Sequence, residues 1–332
     1  MSRPSSDSPV VAVDAMGGDI GPSAVVPGAL DALREGRFRL ALYGDRAAIE
    51  REIAAAGDAP PCEIVHCAQT IEMAESPAQA VRSKPDSPVV RAMGDQKEGR
   101  VQAVFSAGST GAMVAGSLML LGRIAGVDRP AIATVIPSYE GRFLLLDAGA
   151  NVQCTPEHLL TFGLMGDVYA REILEVPRPR VGLLNIGEEP SKGSELTVAA
   201  HGLMSAADLD FAGNVEGRHL LFGAADVIVT DGFTGNMVLK LVEGFGAFLQ
   251  RAYRDSASDD GAGAGSAGLG GLLKRMDYAT TGGAQLLGVR GSVIIGHGAS
   301  SPRAVASALR VASRLASHDM PARLAERLRA AS

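Results

Sequence analysis

Short apolar runs alternate with longer segments of helical periodicity along almost all of the 332 residues of the chain. This alternation predicts βαβ units around a parallel sheet, because a parallel strand needs a long crossover connection that is usually a helix. The chain is therefore expected to be an α/β protein. The runs predicted as buried strands are residues 10–14, 39–43, 63–67, 103–106, 132–136, 143–147, 181–186, 226–230 and 293–296.

The helical segments complete this pattern. They are predicted at residues 24–35, 46–56, 88–98, 110–122, 156–174, 195–206, 235–254 and 302–315. The alternation indicates a single domain over residues 10–332, preceded by a polar, disordered tail at residues 1–9. Residues 256–271 are almost entirely Gly, Ala, Ser and Asp, a composition typical of a flexible linker, so a flexible insertion is expected at about residues 256–290.

Charge and cysteine usage exclude several classes of protein. The chain has 37 acidic and 31 basic residues, a net charge of -6 and no Trp, so no nucleic-acid partner is expected. Cys62, Cys67 and Cys154 lack CxxC spacing, so neither a disulfide framework nor a metal site is indicated. The polar start and the short apolar stretch at residues 112–122 predict no signal peptide and no membrane span. A cytoplasmic location is expected.

Several predicted strands end in a polar or glycine-rich turn that precedes a helix. Because ligands bind at the carboxyl ends of parallel strands, these turns are expected to converge on one crevice. The turn from Ser106 to Gly111 is suited to a phosphate or carboxylate, since a helix N-terminus presents unpaired N–H groups and glycine lets an anion approach. An alternative is that Ser109 or Thr110 only caps the helix.

The usual motifs for nucleotide binding and covalent hydrolysis are missing. The chain has no GxGxxG after a strand, no Gly-Lys-Ser/Thr and no GxSxG, so no cofactor is expected and a serine or cysteine nucleophile has little support. His297 closes the last predicted strand. There it either donates a hydrogen bond to a substrate oxygen or bonds to a loop carbonyl.

A series of motifs resembles the bacterial phosphate acyltransferase family of phospholipid synthesis, over about residues 10–312 and in the family's order. The motifs are Val13-Asp14-Ala15-Met16-Gly17-Gly18-Asp19, Ser106-Ala107-Gly108-Ser109-Thr110-Gly111, Leu146-Asp147-Ala148-Gly149-Ala150-Asn151, Asn185-Ile186-Gly187-Glu188-Glu189 with Lys192, Gly213-Asn214-Val215-Glu216-Gly217-Arg218, Asp231-Gly232-Phe233-Thr234-Gly235-Asn236, Gly282-Gly283-Ala284-Gln285-Leu286-Leu287-Gly288 and His297-Gly298. The chain departs from the family at Ser109, where the family usually has Asn, and at Ser87-Pro88-Val89, where it has Ser-Ser-Met.

The resemblance implies a Rossmann-like three-layer fold similar to isopropylmalate dehydrogenase and phosphotransacetylase, and a homodimer. It implies that acyl-phosphate is made from acyl-acyl carrier protein and inorganic phosphate. Phosphate is itself the nucleophile in this reaction, which agrees with the missing catalytic Ser or Cys. The product would serve a downstream acyl-phosphate:glycerol-3-phosphate acyltransferase.

Candidate residues follow from the turns and the resemblance together. Lys84, Lys192 and His297 are expected to supply charge or donors, Asn185 or Asn236 the oxyanion donor, and Asp231 an organising carboxylate. Expected to bind substrate or phosphate are Asp14, Gly17, Gly18, Asp19, Ser106, Gly108, Ser109, Thr110, Gly111, Asn151, Thr234 and Gly235.

Residues 269–287 are expected to form a mobile, peripheral membrane contact, because Leu269, Leu272, Leu273 and Met276 follow the linker beside Lys274 and Arg275. A small helix packed on the core is the alternative. Three other functions compete with the first: an acyl-coenzyme A:phosphate transferase, a decarboxylating dehydrogenase of similar fold, and a scaffold that recruits carrier protein to the membrane.

Overall fold

The computed structural model describes residues 8–36, 38–259 and 282–330, and its strands form one eleven-stranded sheet. All nine predicted strands are present within one or two residues of the expected bounds. Two further strands, β8 and β10, were not predicted. The strands are β1 Val10–Asp14, β2 Arg39–Gly44, β3 Glu63–His66, β4 Ala103–Ser106, β5 Ala131–Ser138, β6 Gly141–Leu146, β7 Arg180–Asn185, β8 Asp210–Glu216, β9 Val227–Val229, β10 Ala284–Leu287 and β11 Ser292–Ile295.

The eight predicted helices are also confirmed, and two that were not predicted are present, α3 and α10. A π-helical turn at Ser117–Leu121 continues α5, and a 3-10 turn lies at Gly217–Phe222. The helices are α1 Pro22–Glu35, α2 Arg46–Ala55, α3 Pro77–Ser83, α4 Pro88–Lys97, α5 Thr110–Gly116, α6 Pro156–Glu172, α7 Glu195–Ala206, α8 Gly232–Asp259, α9 Pro302–Ser317 and α10 Met320–Ala330.

The sheet is mixed, with two parallel halves that run in opposite directions. Its strand order is β3-β2-β1-β4-β11-β10-β5-β6-β9-β7-β8. Strands β1, β2, β3, β4 and β11 are mutually parallel, and β6, β7, β8 and β9 are parallel in the other half. The antiparallel pairs β11–β10, β10–β5 and β5–β6 join the halves. The prediction of a simply parallel sheet is wrong at this centre.

Helices cover both faces of the sheet, which confirms the three-layer architecture. Along β1, Val11 and Val13 pack into one apolar cluster with α1, α6 and α9, whereas Val10 and Ala12 pack into the cluster on the other face with α4. Successive side chains of a strand point to opposite faces, so a strand buried on both faces is apolar throughout. This accounts for the continuous apolar runs in the sequence.

Strand β10 corrects two predictions. Ala284–Leu287 pairs with β5 and β11, and all four residues are buried. This segment is therefore neither part of a flexible insertion reaching residue 290 nor able to touch a membrane, since both its edges and both its faces are covered. Helix α8 also extends through Asp259, into the predicted linker. The remainder of the predicted insertion and membrane contact, residues 260–281, lies outside the described residues.

Residues 8 and 9, which were predicted to belong to a disordered tail, are held in place by hydrogen bonds. The Pro9 carbonyl accepts a hydrogen bond from the Arg39 amide at 2.8 Å, and Arg39 Nε donates to the Ser8 carbonyl at 3.3 Å. These bonds fix residues 8 and 9 at the start of β1, while residues 1–7 lie outside the described part of the chain. In the helices that the structure describes, none is both long and apolar enough to cross a membrane.

Candidate active site

The ends of β1 and β4 are joined by a buried carboxylate and a buried hydroxyl. Ser106 Oγ donates to Asp14 Oδ2 at 2.7 Å and accepts from the Gly108 amide at 3.0 Å, while Asp14 Oδ1 accepts from the Met16 amide at 3.0 Å. Burial raises the pKa of Asp14, against the opposing effect of these hydrogen bonds. We call Asp14, Gly17–Asp19, Ser106–Gly111 and His297–Gly298 the β1–β4 cluster.

Glycine is required where the two turns of this cluster meet. A Cβ on Gly17 would lie 2.7 Å from Asp14 Oδ2, 2.8 Å from the Gly108 amide nitrogen and 2.9 Å from Ser106 Oγ. Gly18 has a φ of +92°, and the neighbouring Asp19 amide donates to the Gly298 carbonyl at 2.8 Å. The turns after β1, β4 and β11 therefore form one backbone-lined surface.

The first turn of α5 opens from this surface. Ser109 Oγ accepts from the Ala112 amide at 3.3 Å, so the capping role considered for Ser109 is confirmed. The first amides of the helix, those of Thr110 and Gly111, have no intrahelical acceptor. Gly111 faces Pro77 of α3, where a Cβ would lie 2.5 Å from Pro77 Cγ.

His297 is exposed at the end of β11, beside the Ser106 turn. Its Nδ1 accepts from the Ala299 amide at 3.2 Å, so a neutral ring carries its proton on Nε2. The partner in the loop is thus an amide and not the carbonyl considered above. Nε2–H is left as a donor at the carboxyl end of the strand, where a substrate oxygen can accept.

Lys84 occupies a different position from the one expected for a phosphate ligand. Its Nζ donates to the Thr70 carbonyl at 2.7 Å and forms an ion pair with Glu75, just before α3. The hydrogen bond from Lys84 lowers the pKa of Glu75. The structure therefore uses the Lys84 charge to hold the loop before α3.

A second set of residues surrounds Asp147, at the end of β6. This side chain is fully buried, and its two oxygens accept from the amides of Ile132, Gly149, Ala150 and Asn151 and from Asn151 Nδ2, over 2.7–3.1 Å. Asp147 was absent from the candidate residues, although its motif was recognised. A buried Asp directly after an apolar strand was the available signal.

The loop held by Asp147 packs on the beginning of α8. The Gly232 amide donates to the Asn151 carbonyl at 2.8 Å, and a Cβ on Gly235 would overlap the Asp147 carbonyl oxygen. Asp231 accepts from the Thr234 amide at 2.9 Å and from Thr234 Oγ1 at 2.7 Å. We call Asp147–Asn151 and Asp231–Asn236 the β6–β9 cluster.

Asn236 and Asn185 differ in how much of their amide is free. The side chain of Asn236 is exposed and makes no hydrogen bond to a described residue. Asn185, after the neighbouring β7, donates through Nδ2 to the Lys192 carbonyl at 2.9 Å and accepts from the Ile186 amide at 2.9 Å. Asn185 therefore organises its own loop. The ammonium group of Lys192 is exposed, and no ion pair to it occurs in the part of the chain that the structure describes.

The expected single crevice is not formed by direct contact. Strand β4 is reversed relative to β6 and β9 in the order of strand pairings, so the turns that follow these strands do not share one edge of a parallel sheet. Over the described residues, no hydrogen bond or ion pair connects the β1–β4 cluster with the β6–β9 cluster. The structure brings the candidate residues together as two clusters, with the Asn185 and Lys192 loop beside the second.

The cysteines are poorly suited to nucleophilic catalysis. Burial raises the pKa of Cys62, and it raises those of Cys67 and Cys154 to about 11. A thiol with so high a pKa is almost fully protonated at neutral pH, and the thiolate is the nucleophile. Within the described residues, no group of three or more His, Cys, Asp or Glu side chains could hold a metal ion.

Solved structures share this fold. A phosphotransacetylase from Streptococcus pyogenes superposes with a TM-score of 0.64 at 16% identity, covering 93% of this chain and 94% of that one. A 4-hydroxythreonine-4-phosphate dehydrogenase from Klebsiella pneumoniae superposes with a TM-score of 0.54 at 15% identity, covering 93% and 100%. The predicted likeness to phosphotransacetylase in fold is thereby confirmed.

The sequence comparison is more specific. Residues 10–323 match the family described as fatty acid synthesis protein. A phosphate acyltransferase from Heliobacterium modesticaldum is 50% identical over 309 residues, covering 91% of this chain and 92% of the relative. A phosphate acyltransferase from Moorella thermoacetica is 48% identical over 309 residues, covering 92% and 91%. The chain therefore belongs to the fatty acid synthesis protein family, as a transferase among its phosphate acyltransferases.

Proposed function

We propose that the protein transfers an acyl group from acyl-acyl carrier protein to inorganic phosphate, and that the acyl-phosphate feeds glycerol-3-phosphate acylation by a downstream enzyme. One observation carries the assignment of the site. In the β1–β4 cluster, α5 begins with unpaired backbone amides, His297 has Nε2–H available as a donor, and a backbone hydrogen bond from Gly296 to Ser106 joins their two turns. Such donors suit a phosphate and a developing oxyanion.

The reaction needs positioning more than a protein nucleophile. A phosphate oxygen attacks the thioester carbonyl carbon, the carbonyl oxygen becomes an oxyanion, and the carbon–sulfur bond then breaks. The departing thiol has a pKa of about 8.5, so its thiolate is a tolerable leaving group. The α5 amides and the Ser106–Gly111 turn hold phosphate, and His297 Nε2–H donates to the carbonyl oxygen. Asp14 and Ser106 fix the distance between the two turns.

The β6–β9 cluster is proposed to face the same cleft. Five strand-to-strand steps separate β4 from β9. A twist of about 20 to 25° per step turns β9 by on the order of 100° relative to β4. Because the two strands also run in opposite senses along the sheet, the directions in which their carboxyl ends point then differ by less than a right angle. Asn236 then supplies a second oxyanion donor, with Asp231, Thr234 and Asn151 shaping its loop.

The decisive assay uses the whole chain with acyl-acyl carrier protein and phosphate. We expect release of free thiol together with an acyl-phosphate that hydroxylamine traps, both dependent on phosphate. Binding of carrier protein without thiol release would indicate a scaffold. Turnover that requires a divalent metal and NAD would indicate a dehydrogenase.

A second candidate is an acyl-coenzyme A:phosphate transferase, which the phosphotransacetylase fold favours. Both donors present the same thioester to phosphate, so the β1–β4 cluster fits either one. The kcat/KM values for carrier-protein and coenzyme A thioesters of the same acyl group decide between them. A higher value for coenzyme A would replace the proposed donor.

Removal of all three cysteines is expected to leave the chemistry intact. The variant Cys62→Ser/Cys67→Ala/Cys154→Ser should keep turnover within about twofold of the unchanged chain, because phosphate attacks directly and the buried thiols stay protonated. Iodoacetamide at pH 8 should likewise inactivate the protein slowly. A covalent acyl-cysteine adduct, or loss of turnover by a correctly folded variant, would contradict direct attack.

Lys192 and Lys84 are expected to respond differently to substitution. Lys192→Ala should raise the KM for phosphate or lower turnover by about tenfold or more, since a charge-assisted contact contributes about 1.5 to 3 kcal/mol. Lys84→Ala should leave the KM for phosphate unchanged, because its charge is already paired with Glu75. Steady-state kinetics against phosphate test both. An unchanged phosphate dependence in Lys192→Ala removes Lys192 from the site.

We also propose a homodimer in the cytoplasm with peripheral membrane contact. An exposed apolar stripe supports association: it runs along α8 and consists of Phe233, Met237, Leu241, Phe245 and Phe248. Such a stripe is typical of an interaction surface.

The membrane contact rests on the sequence of residues 269–281. Vesicle sedimentation of Leu272→Glu/Leu273→Glu, with turnover of soluble carrier-protein thioester as the control, tests this contact.

A further inference from the structure

An apolar cavity of about 260 Å³ lies between the end of β5 and the middle of α8. Its apolar walls come from Val135, Ile136 and Pro137 on the strand and from Leu239 and Val242 on the helix, and His297 stands at its edge. Of the residues that line this cavity, His297 alone was among the motifs and candidate residues predicted from the sequence. It is open to solvent, so a ligand can enter it.

We propose that this cavity binds the acyl chain of the thioester, beginning at the carbons next to the carbonyl. The inference rests on the proposed acyl transfer and adds the place where the chain lies. Apolar cavities with a few polar groups at the rim are the usual form of small-molecule sites.

The position of His297 connects the cavity with the β1–β4 cluster. Just before it, the Gly296 amide donates to the Ser106 carbonyl at 2.8 Å, and just after it, the Gly298 carbonyl accepts from the Asp19 amide at 2.8 Å. His297 therefore stands between the proposed phosphate turn on one side and the apolar walls on the other. A thioester whose carbonyl oxygen accepts from Nε2–H would have phosphate and acyl chain on the sides that suit their polarity.

Glu243 is the acidic residue in the lining and requires an explanation. Its Oε2 accepts from Lys240 Nζ at 2.8 Å, whereas Oε1 is buried and has no hydrogen-bond partner among the described residues. The Lys240 ion pair offsets part of the charge of Glu243. Apart from Glu243, the described lining contains no carboxylate, Lys or Arg, which suits a hydrocarbon chain.

Narrowing the cavity should change the preference for chain length. Each buried methylene strengthens binding by a factor of about four. Val242→Phe should therefore lower the ratio of kcat/KM for octanoyl- over acetyl-carrier protein by about tenfold or more, while the KM for phosphate is unchanged. Val242→Ala should extend the preference to longer chains, measured as dodecanoyl over octanoyl. Val198→Phe, which adds the same ring on the exposed surface of α7, is the control.

The outcomes separate this inference from the proposed function. A selective loss with octanoyl in Val242→Phe, absent from Val198→Phe, supports the acyl cavity. An unchanged ratio, an equal loss with both thioesters, or the same change in the control overturns it. If the unchanged chain forms no acyl-phosphate from either thioester, the proposed function itself fails. Should Val242→Phe not fold, the shift expected for Val242→Ala decides alone, and its absence overturns the inference.

Discussion

Replacing Asp147 by alanine is expected to lower the free energy of unfolding by about 3 to 5 kcal/mol, the range of the large losses caused by breaking a buried hydrogen-bond network. The Asp147 carboxylate accepts from five N–H groups of Ile132, Gly149, Ala150 and Asn151. Without it, the buried amide of Ile132 loses its acceptor at a cost of about 1 to 3 kcal/mol, and the four partly buried donors of the loop add smaller costs. Urea denaturation followed by circular dichroism measures the change.

Asp128→Ala is the matched control for this measurement. Asp128 is 67% exposed, forms an ion pair with Arg123 at 2.9 Å and lies within hydrogen-bond distance of His158 Nε2, at 2.8 Å. Exposed ion pairs contribute about 0 to 1 kcal/mol each, so this variant should unfold close to the unchanged chain. If Asp147→Ala were as stable as Asp128→Ala, the loop over α8 would not depend on the buried carboxylate.

Most elements of the fold could be predicted because buried parallel strands are apolar throughout and helices show their periodicity. The direction of each strand could not, since an apolar run reads the same in either direction. The reversal at β10 and β5 depends on which strands pair, and that is a property of the whole sheet. Strand β10 was also missed because it is short and follows Gly282 and Gly283, both at positive φ, beside a linker-like composition.

The candidate site was predicted at the level of turns and less well at the level of side chains. Glycine-rich turns after strands were visible in the sequence, and the structure joins those after β1, β4 and β11. The partners of charged groups were not visible. Lys84 pairs with Glu75, nine positions earlier, because the chain between them folds back. The role of Asp147 depends on the amide of Ile132, which belongs to the neighbouring strand. Such pairings are set by tertiary structure.

Gly17→Ala is expected to lower turnover by about a hundredfold, because small displacements of positioning groups have effects of that order. A Cβ at Gly17 would lie within 3.0 Å of Asp14 Oδ2, the Gly108 nitrogen and Ser106 Oγ. These distances are shorter than any normal contact between Cβ and another heavy atom, so the turns after β1 and β4 must move apart to accommodate alanine. We expect a loss of stability of about 1 to 3 kcal/mol, typical of overpacking.

Gly94→Ala provides the comparison, because a Cβ there meets no atom within 4 Å in α4. This variant should keep full turnover and gain about 0.5 to 1 kcal/mol, since alanine favours a helix interior. Turnover of carrier-protein thioester at saturating phosphate, measured where both variants are folded, isolates the site from stability. If Gly17→Ala is destabilised but turns over normally, the reacting groups do not lie on the β1–β4 cluster. The free amide of Asn236 then makes the β6–β9 cluster the site to test next.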